Sequence, residues 1–336
     1  MEKIESASGS ITTPHNTYIS PLIFKWYNDY NTPLPQHPIE IFELQWVSQL
    51  IHQKNKWEYS PSVLCKLSDI TAPTITNSDL KTVVLGFSGG LDSVYQAIDL
   101  KERGYEVILY HLKGINTYEN GQATKRCPVI AKKLGMPYVE SVISKKRGAQ
   151  SVPENPLKNE LIMSLMIDYC LENNIPYISL GDDLNLSLKD SVTGINVTDS
   201  RELTNAFIDG VRKVIDIQFL PIMTHTSKLD RIRKLVEYGL ENDYYSCVQA
   251  GRFNKKLHDL NEKKYGVELF DGNCGCSCRK CAMHNLLLHY GNVKVFPQEF
   301  IDRCWRVMWD NSHSADYELF RPDLPGRVRV NNLFEY

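Results

Sequence analysis

The chain has 336 residues and a formal net charge of -2, and 42% of its residues are apolar. This length allows one large domain or two smaller ones, and the composition excludes disorder on a large scale. The small net charge gives no argument for wholesale attraction to nucleic acid or to a membrane. The sequence has no apolar stretch that could span a bilayer and no N-terminal signal pattern, so we expect a cytoplasmic protein with reduced thiols.

The first 80 residues stand apart because they mix prolines such as Pro14 with aromatic residues such as Trp26. This mixture predicts an irregular but packed N-terminal appendage with one helix over residues 38–53. Residues 68–79 are rich in Thr, Ser, Asn and Asp and indicate a linker into the first core strand. The appendage either wraps the core or serves as a substrate lid or a dock for a partner.

The most informative stretch is a predicted strand over 83–87 that runs into a glycine-rich turn and a helix over 94–102. Glycines let the backbone turn so that N–H groups face outward, and the helix N-terminus adds unpaired donors and a positive dipole end. These features predict a phosphate site in which Ser88 and Ser93 add hydroxyl donors and Asp92 holds Mg²⁺, directly or through water. The alternative is a tight turn whose glycines serve geometry alone, and the spacing fits neither a Walker loop nor a dinucleotide fingerprint.

Strand and helix patterns alternate after this turn, which predicts a parallel sheet covered by helices. The predicted strands cover 106–112, 138–143 and 177–180, and the predicted helices cover 122–134 and 159–172. Ligands collect beyond the carboxyl ends of such strands, so we expect the segments after Leu112, Ile143 and Leu180 to face the same crevice as the turn. Gly181 and Asp182 then lie where an ATP or acceptor contact is expected, with helix capping or a solvated turn as the alternative for the aspartate.

Four of the nine cysteines lie within eight residues, between Cys274 and Cys281. In a chain with reduced thiols, such a cluster indicates a metal site more than a disulfide framework. Cys278 and Cys281 have the C-x2-C spacing of a zinc knuckle, and Cys274 and Cys276 compete for a third ligand position. We favour a structural zinc held by Cys247, Cys274, Cys278 and Cys281, with an iron–sulfur cluster or free thiols as alternatives.

The segment Ser88-Gly89-Gly90-Leu91-Asp92-Ser93 resembles the pyrophosphate-binding loop of the PP-loop ATP pyrophosphatase superfamily, which splits ATP into AMP and pyrophosphate. Within that superfamily, residues 81–290 are similar to the 7-cyano-7-deazaguanine synthase (QueC-like) family. This likeness rests, besides the cysteine cluster, on Val152-Pro153-Glu154-Asn155-Pro156-Leu157-Lys158-Asn159, Thr198-Asp199-Ser200-Arg201, Ser227-Lys228-Leu229-Asp230-Arg231-Ile232 and Tyr245-Ser246-Cys247. The chain departs from the family in its cysteine spacing and in Lys158, where the family has Arg.

The resemblance implies an α/β fold with a doubly wound, mostly parallel sheet of the adenine nucleotide alpha hydrolase type. We divide the chain into an N-terminal appendage over 1–80, a nucleotide-binding core over 81–225 and a C-terminal helical region with the cysteine zinc site over 226–336, although the appendage and the tail after Tyr290 lie outside the family pattern. The implied activity is that of an ATP-dependent ligase. A carboxylate, as in 7-carboxy-7-deazaguanine, attacks the α-phosphate of ATP, pyrophosphate leaves, and ammonia or another amine displaces AMP to give an amide or a nitrile. Such a reaction serves nucleoside modification or antiviral defence.

The resemblance also implies roles for individual residues. ATP contacts fall on Phe87, Ser88, Gly89, Gly90, Leu91, Asp92, Ser93, Leu112 and Gly181. The catalytic residues are Asp92, which holds Mg²⁺, Ser93, and Lys228, which meets the phosphates as a mobile point charge. Substrate contacts fall on Lys158, Asn159, Asp182, Asp199 and Arg201. Two alternatives stay open, namely that Lys228 is an ordinary helix-face lysine and that Asp199 and Arg201 cap a helix.

The expected cofactors are ATP, Mg²⁺ and Zn²⁺, and the expected partners are a small-molecule carboxylate and ammonia or an amine. A protein partner or protein substrate at the appendage and a homodimer are further expectations, and a membrane is not expected. Another PP-loop enzyme remains an alternative, either a carboxylate amidase or a tRNA-modifying thiolase or ligase, and so does a non-catalytic nucleotide-binding module. Thiolation demands a reactive cysteine in the crevice, whereas we expect Cys127 and Cys170 to be core residues on helix faces.

Overall fold

The structure is a computed structural model. It describes residues 1–5, 9–21, 23–24, 73–76, 80–114, 122–145, 158–181, 208, 211–212, 215–220, 226–244, 255–269 and 278–310. The predicted helix over 38–53 lies outside these residues, as do Asp182, Asp199, Arg201, Cys247, Cys274 and Cys276. Among the described helices, none has the length and apolar character needed to cross a membrane.

The described residues form one mixed sheet of seven strands in the order β1-β2-β5-β4-β3-β6-β7. The strands are β1 Glu2–Glu5, β2 Gly9–Thr13, β3 Thr82–Gly86, β4 Glu106–Lys113, β5 Tyr138–Lys145, β6 Tyr177–Leu180 and β7 Gln218–Phe219. Strands β3 to β7 pair in parallel, as the alternating pattern predicted. The α/β fold with a mostly parallel sheet is therefore confirmed.

The described helices are α1 Leu91–Glu102, α2 Gln122–Leu134, α3 Lys158–Asn173, α4 Lys228–Glu237, α5 Lys255–Tyr265, α6 Arg279–Tyr290 and α7 Gln298–Asp310. The predictions for α2 and α3 agree with these bounds to within one residue. Helix α1 begins three residues earlier than predicted, because Gly90 already takes the extended backbone of an N-cap. The glycine-rich turn is thereby shortened, and Asp92 and Ser93 lie in the first turn of the helix.

Apolar residues cover both faces of the parallel strands, as expected when helices pack on each side. Val83 and Leu85 of β3 belong to a core cluster that includes residues of α1, α2, α4, α6 and α7. Val84 belongs to a second cluster, on the opposite face, together with residues of α3 and of the N-terminal segment. The alternation of β3 between two cores fixes its register and directs its carboxyl end toward the start of α1.

The N-terminal segment departs from the prediction of an irregular appendage. β1 and β2 form an antiparallel pair, and β2 extends the sheet by pairing antiparallel with β5. Ile4 and Ile11 are buried in the second core cluster, so the pair is held by packing as well as by backbone hydrogen bonds. The sequence pattern gave no sign of this because the partner strand β5 lies more than a hundred residues away along the chain.

Candidate nucleotide-binding site

The glycine-rich turn between β3 and α1, residues 87–90, is called the phosphate loop below. Phe87 N donates to the carbonyl of Tyr110 at 2.7 Å, which extends the β3–β4 ladder by one bond before the chain turns. Gly89 has a φ of 72°, a conformation that side chains rarely adopt. The loop therefore leaves the sheet abruptly and presents the N-terminus of α1 at the carboxyl edge of the sheet.

Ser88 of the phosphate loop and Ser93 of α1 lie next to each other. Ser88 Oγ and Ser93 Oγ are 3.1 Å apart, and Gly90 N donates to Ser88 Oγ at 3.3 Å. The N-cap residue Gly90 supplies no side-chain cap to the helix. Backbone N–H groups of the first turn, together with the hydroxyl groups, form the type of donor set that holds a phosphate.

Gly181, at the end of β6, lies against the start of α1. A Cβ atom at this position would lie 2.5 Å from the Cα atom of Ser93. Only a residue without a side chain permits this approach, so Gly181 packs directly against Ser93. Its contact with ATP stays a prediction. Leu112 differs, because its side chain is buried in the second core cluster and only its backbone remains for a ligand contact.

Three charged side chains meet beside the phosphate loop. Arg231 Nη1 lies 2.6 Å from Asp92 Oδ1, and Lys228 Nζ lies 3.3 Å from Asp92 Oδ2. Ser227 caps α4 in a capping box with Asp230, which fixes the first turn of that helix and the position of Lys228 within it. The structure thus brings together Asp92, Ser93 and Lys228, the three residues with predicted catalytic roles.

Arg231 is the residue of this site that sequence reasoning missed. Its side chain is 2% exposed, and besides Asp92 it bonds Thr226, through Nε to Oγ1 at 3.3 Å and through Nη2 to the carbonyl at 3.0 Å. A charged residue three positions after Lys228, among the buried positions of an amphipathic helix, was the available signal.

The site contains a side chain of the type that binds magnesium, because Mg²⁺ prefers carboxylate oxygens as ligands. Asp92 is the group that would hold it. Both of its oxygens already lie near cations, Oδ1 beside Arg231 and Oδ2 beside Lys228. Binding of the ion at Oδ2 therefore requires Lys228 to move from this carboxylate.

His111 supports the phosphate loop from beneath, on the side of the sheet that α2 covers. Its Nδ1 lies 2.8 Å from the carbonyl of Phe87, and because a carbonyl only accepts, this nitrogen carries the proton. Its ring stacks on that of Tyr138 with an interplanar angle of 24°. Its Nε2 is buried and has no hydrogen-bond partner among the described residues.

Two cysteines tested as thiolation candidates are core residues in this structure. Cys127 of α2 is fully buried, and a Cβ atom at Gly89 would lie 2.9 Å from its Sγ atom, so it packs directly under the phosphate loop. Cys170 of α3 is also fully buried, and desolvation raises the pKa of its thiol well above the ordinary value. Burial and a raised pKa both disfavour the reactive thiolate.

The C-x2-C turn begins α6. Cys278 is the N-cap, its Sγ accepts from Cys281 N at 3.5 Å, and both side chains are buried. Within the described part of the chain, no three metal-ligating side chains cluster, and the other predicted zinc ligands lie outside it. Two buried sulfur atoms in this turn fit one half of a zinc knuckle, so Zn²⁺ stays a prediction.

Tyr244 packs against α6, the helix that this turn begins. Its hydroxyl hydrogen-bonds His284 Nδ1 on α6. Desolvation raises the pKa of Tyr244 well above the ordinary value, and the nearby charges of Asp92 and Cys281 raise it further. Desolvation also lowers the pKa of His284 to about 3, with smaller effects from Arg126 and Lys294.

The predicted substrate residues are only partly described. Helix α3 begins at Lys158, and Asn159 is half-buried in its first turn. The side chain of Lys158 lies outside the described structure, and so do Asp182, Asp199 and Arg201. Their contacts with an acceptor stay predictions.

Comparison with known proteins gives a match over the core of the site. Residues 81–146 match the model of the tRNA methyl transferase HUP domain. The tRNA-specific 2-thiouridylase MnmA of Levilactobacillus brevis is 33% identical over 119 residues, which are 30% of this chain and 32% of that protein. The protein of the same name from Pediococcus pentosaceus is 29% identical over 127 residues, 32% of this chain and 34% of that one. The matches span about a third of the length of these curated relatives.

Two solved structures are similar at 16% identity. The NH3-dependent NAD synthetase from Campylobacter jejuni, in complex with the nitrate ion, has a TM-score of 0.33, with 70% of this chain and 87% of that one covered. The U34-tRNA thiolase NcsA from Methanococcus maripaludis, with its [4Fe-4S] cluster, has a TM-score of 0.35, with 64% and 74% covered. TM-scores this low do not bear on the activity of this chain.

The family match covers β3, the phosphate loop, α1, β4, α2 and β5. It does not reach Gly181 or the two cations of α4 that face Asp92. It does not single out the QueC-like family, so that finer resemblance stays a hypothesis. Through this segment, residues 81–146, the chain falls in the PP-loop ATP pyrophosphatase superfamily.

Proposed function

We propose that the protein binds MgATP at the phosphate loop and adenylates an oxygen atom of a tRNA base as the first step of an RNA modification. The observation that carries this proposal is the arrangement at the carboxyl edge of β3, where Ser88, Ser93 and the N-terminus of α1 form an anion site with Lys228 beside it. The similarity to tRNA-specific 2-thiouridylases supports tRNA as the acceptor.

The proposed reaction has two steps. The acceptor oxygen attacks the α-phosphorus of ATP, the bond from that phosphorus to the bridging oxygen breaks, and pyrophosphate leaves with the bonding electrons. A second nucleophile then displaces AMP from the activated carbon. Negative charge grows on the departing pyrophosphate, so the fixed N–H and hydroxyl donors and Lys228 stabilise the first transition state. Bound Mg²⁺ neutralises phosphate charge in such a step.

The second nucleophile is not Cys127 or Cys170. Both side chains are fully buried, and the raised pKa of Cys170 disfavours its thiolate. We therefore assign this role to a separate donor or to the cysteines outside the described residues.

Pyrophosphate release from ATP tests the proposal, measured with Mg²⁺ and with or without unmodified tRNA. We expect release that depends on tRNA and that falls by about 100-fold in Asp92→Asn and Lys228→Met. Lys234→Met is the matched control, since Lys234 lies on the same helix but pairs with Glu102 and Glu237 outside the site. Release that does not respond to tRNA contradicts the acceptor, and equal loss in the Lys234 variant contradicts the role of Lys228.

A carboxylate–amine ligase is a second candidate, favoured by the buried C-x2-C turn and by the QueC-like segments around Asn159 and Lys228. In this case the acceptor is a 7-carboxy-7-deazaguanine-like acid. Ammonia or an amine, either free or on a protein docked at the N-terminal segment, displaces AMP. The same assay with this acid and ammonium discriminates the two, because an amide or nitrile product has a distinct mass. Absence of release with either acceptor favours a non-catalytic nucleotide-binding module.

A further inference from the structure

The two cations that face Asp92 hold it with different strength. Arg231 is 2% exposed and approaches Oδ1 at 2.6 Å, the distance of a strong charge-assisted hydrogen bond. Lys228 is 11% exposed and approaches the same carboxylate at 3.3 and 3.4 Å. Arg231 is therefore the firm partner of Asp92, and Lys228 is the loose one.

Arg231 is also fixed from its other side. Its Nε and Nη2 atoms bond the side chain and the carbonyl of Thr226, and Tyr95 of α1 hydrogen-bonds the same threonine. Thr226 directly precedes the N-cap Ser227, so Arg231 ties the first turn of α4 to α1. A planar guanidinium with several bonds of this kind keeps its place, whereas an ammonium on a four-carbon chain changes partners readily.

The charges explain why two cations are present. Breaking a poorly exposed ion pair is costly because one charge is left uncompensated. Asp92 keeps Arg231 as its partner when Lys228 leaves, so the departure of the lysine does not strand the carboxylate.

We propose that Arg231 is a positioning residue that compensates Asp92 so that Lys228 can exchange this carboxylate for a phosphate group of bound ATP. This inference rests on the ATP site of the proposed function. Arg231 itself stays with Asp92 and Thr226 throughout. No bond is made or broken in the exchange, which moves one ammonium group from a carboxylate oxygen to a phosphate oxygen.

The test is a mutant cycle on the binding of inorganic pyrophosphate, measured by isothermal titration calorimetry. In the otherwise unchanged protein, Lys228→Met should weaken binding by about tenfold, because one phosphate contact is lost. In the Arg231→Met background, Asp92 retains the lysine, so the same change should weaken binding by less than about twofold. Arg231→Lys keeps the positive charge and should keep most of the tenfold effect.

A second background keeps the test decisive if Arg231→Met does not fold. In Asp92→Asn there is no carboxylate to compensate, so adding Arg231→Met should not change pyrophosphate affinity, and Lys228→Met should again cost about tenfold. If Arg231 is only structural, we expect the opposite pattern. Lys228→Met then weakens pyrophosphate binding by the same factor with and without Arg231→Met, and adding Arg231→Met to Asp92→Asn lowers the affinity.

The outcomes separate the two proposals. If the unchanged protein binds pyrophosphate but the Lys228→Met factor is independent of Arg231, the exchange is wrong and the ATP site stands. If the unchanged protein binds neither pyrophosphate nor MgATP, both the ATP site and the exchange are overturned.

Discussion

Two polar junctions of the molecule each combine an aspartate with a histidine, and their surroundings differ. Where the N-terminal segment joins α3, Asp168 accepts hydrogen bonds from the backbone N–H groups of Ile19 and Ser20 and from the Ser20 hydroxyl. In the same junction, both ring nitrogens of His15 have partners, the carbonyl of Asn16 and the hydroxyl of Tyr110. Each of these hydrogen-bond partners is uncharged. Both oxygens of Asp168 and both ring nitrogens of His15 have a partner, so we call this junction closed.

The phosphate loop contrasts with this junction. Asp92 faces two cations there, and His111 uses only one ring nitrogen within the described residues. Charged side chains and a buried ring nitrogen thus meet beside the phosphate loop, the kind of surroundings in which charged ligands bind. The same two residue types serve structure in one junction and ligand chemistry in the other.

The largest effect should follow from Asp168→Ala. This change leaves three buried donors without an acceptor, so we expect the free energy of unfolding to fall by about 3 kcal/mol. Chemical denaturation measures it, with Asp99→Asn as the control, because Asp99 forms a partly exposed i,i+4 pair with Arg103. The folded Asp168→Ala protein should keep the KM for ATP of the unchanged protein. A raised KM would contradict the view that the Asp168 junction is structural and that only the phosphate loop binds the ligand.

The Asp168 junction should also make the free energy of unfolding depend on pH. Desolvation raises the pKa of Asp168 from 3.8 to about 6, although hydrogen bonds from Ser20 and Ile19 act in the opposite direction. The folded protein then binds this proton more tightly than the unfolded chain does. The stabilisation from this proton is complete below about pH 4 and is lost as the pH rises through about 6, a change of roughly 3 kcal/mol.

Asp168→Asn should remove that dependence, because the amide does not titrate. Its single acceptor oxygen can serve only the donors of one carboxylate oxygen, so the protein should be less stable but nearly independent of pH in this range. Denaturation of both proteins at several pH values between 4 and 7 measures the difference. Parallel stability profiles would mean that the carboxyl group does not titrate in this range.

A smaller effect is expected at the loop from Gly181→Ala. The new Cβ atom would lie 2.5 Å from Ser93 Cα and must displace the start of α1, so KM for ATP should rise by about tenfold. Gly86→Ala is the matched control, because the atoms nearest to its Cβ would be side-chain atoms of Leu180, Met166 and Ile162 rather than backbone. Equal effects of the two changes on KM argue against a specific role of the Gly181 contact.

The loop and the central sheet could be predicted because their signals are local. Apolar runs, the two glycines and the following helix pattern fixed β3, β4, α1 and α2 to within a few residues. The same patterns placed Ser88 and Ser93 together, since a turn followed by the first turn of a helix leaves few other arrangements.

The remaining features depend on contacts between distant parts of the chain. Asp92 and Arg231 are 139 positions apart, and Asp168 lies 148 positions from Ser20. β1 and β2 are short strands that pair with each other, and β2 also pairs with β5, which no local periodicity reveals. The sequence pattern shows which residues are polar, whereas the structure shows which of these residues are in contact.

The smallest effect should separate the two histidines. His111→Leu removes the bond to the Phe87 carbonyl beneath the phosphate loop, and we expect KM for ATP to rise by about threefold. His111→Asn offers a donor in the place of Nδ1 and should stay near the unchanged protein. His15→Leu, which loses a bond of the same 2.8 Å length at the closed junction, should lower the melting temperature without changing KM. If His15→Leu raises KM as much as His111→Leu does, the polar surroundings of the two junctions do not separate structure from ligand binding.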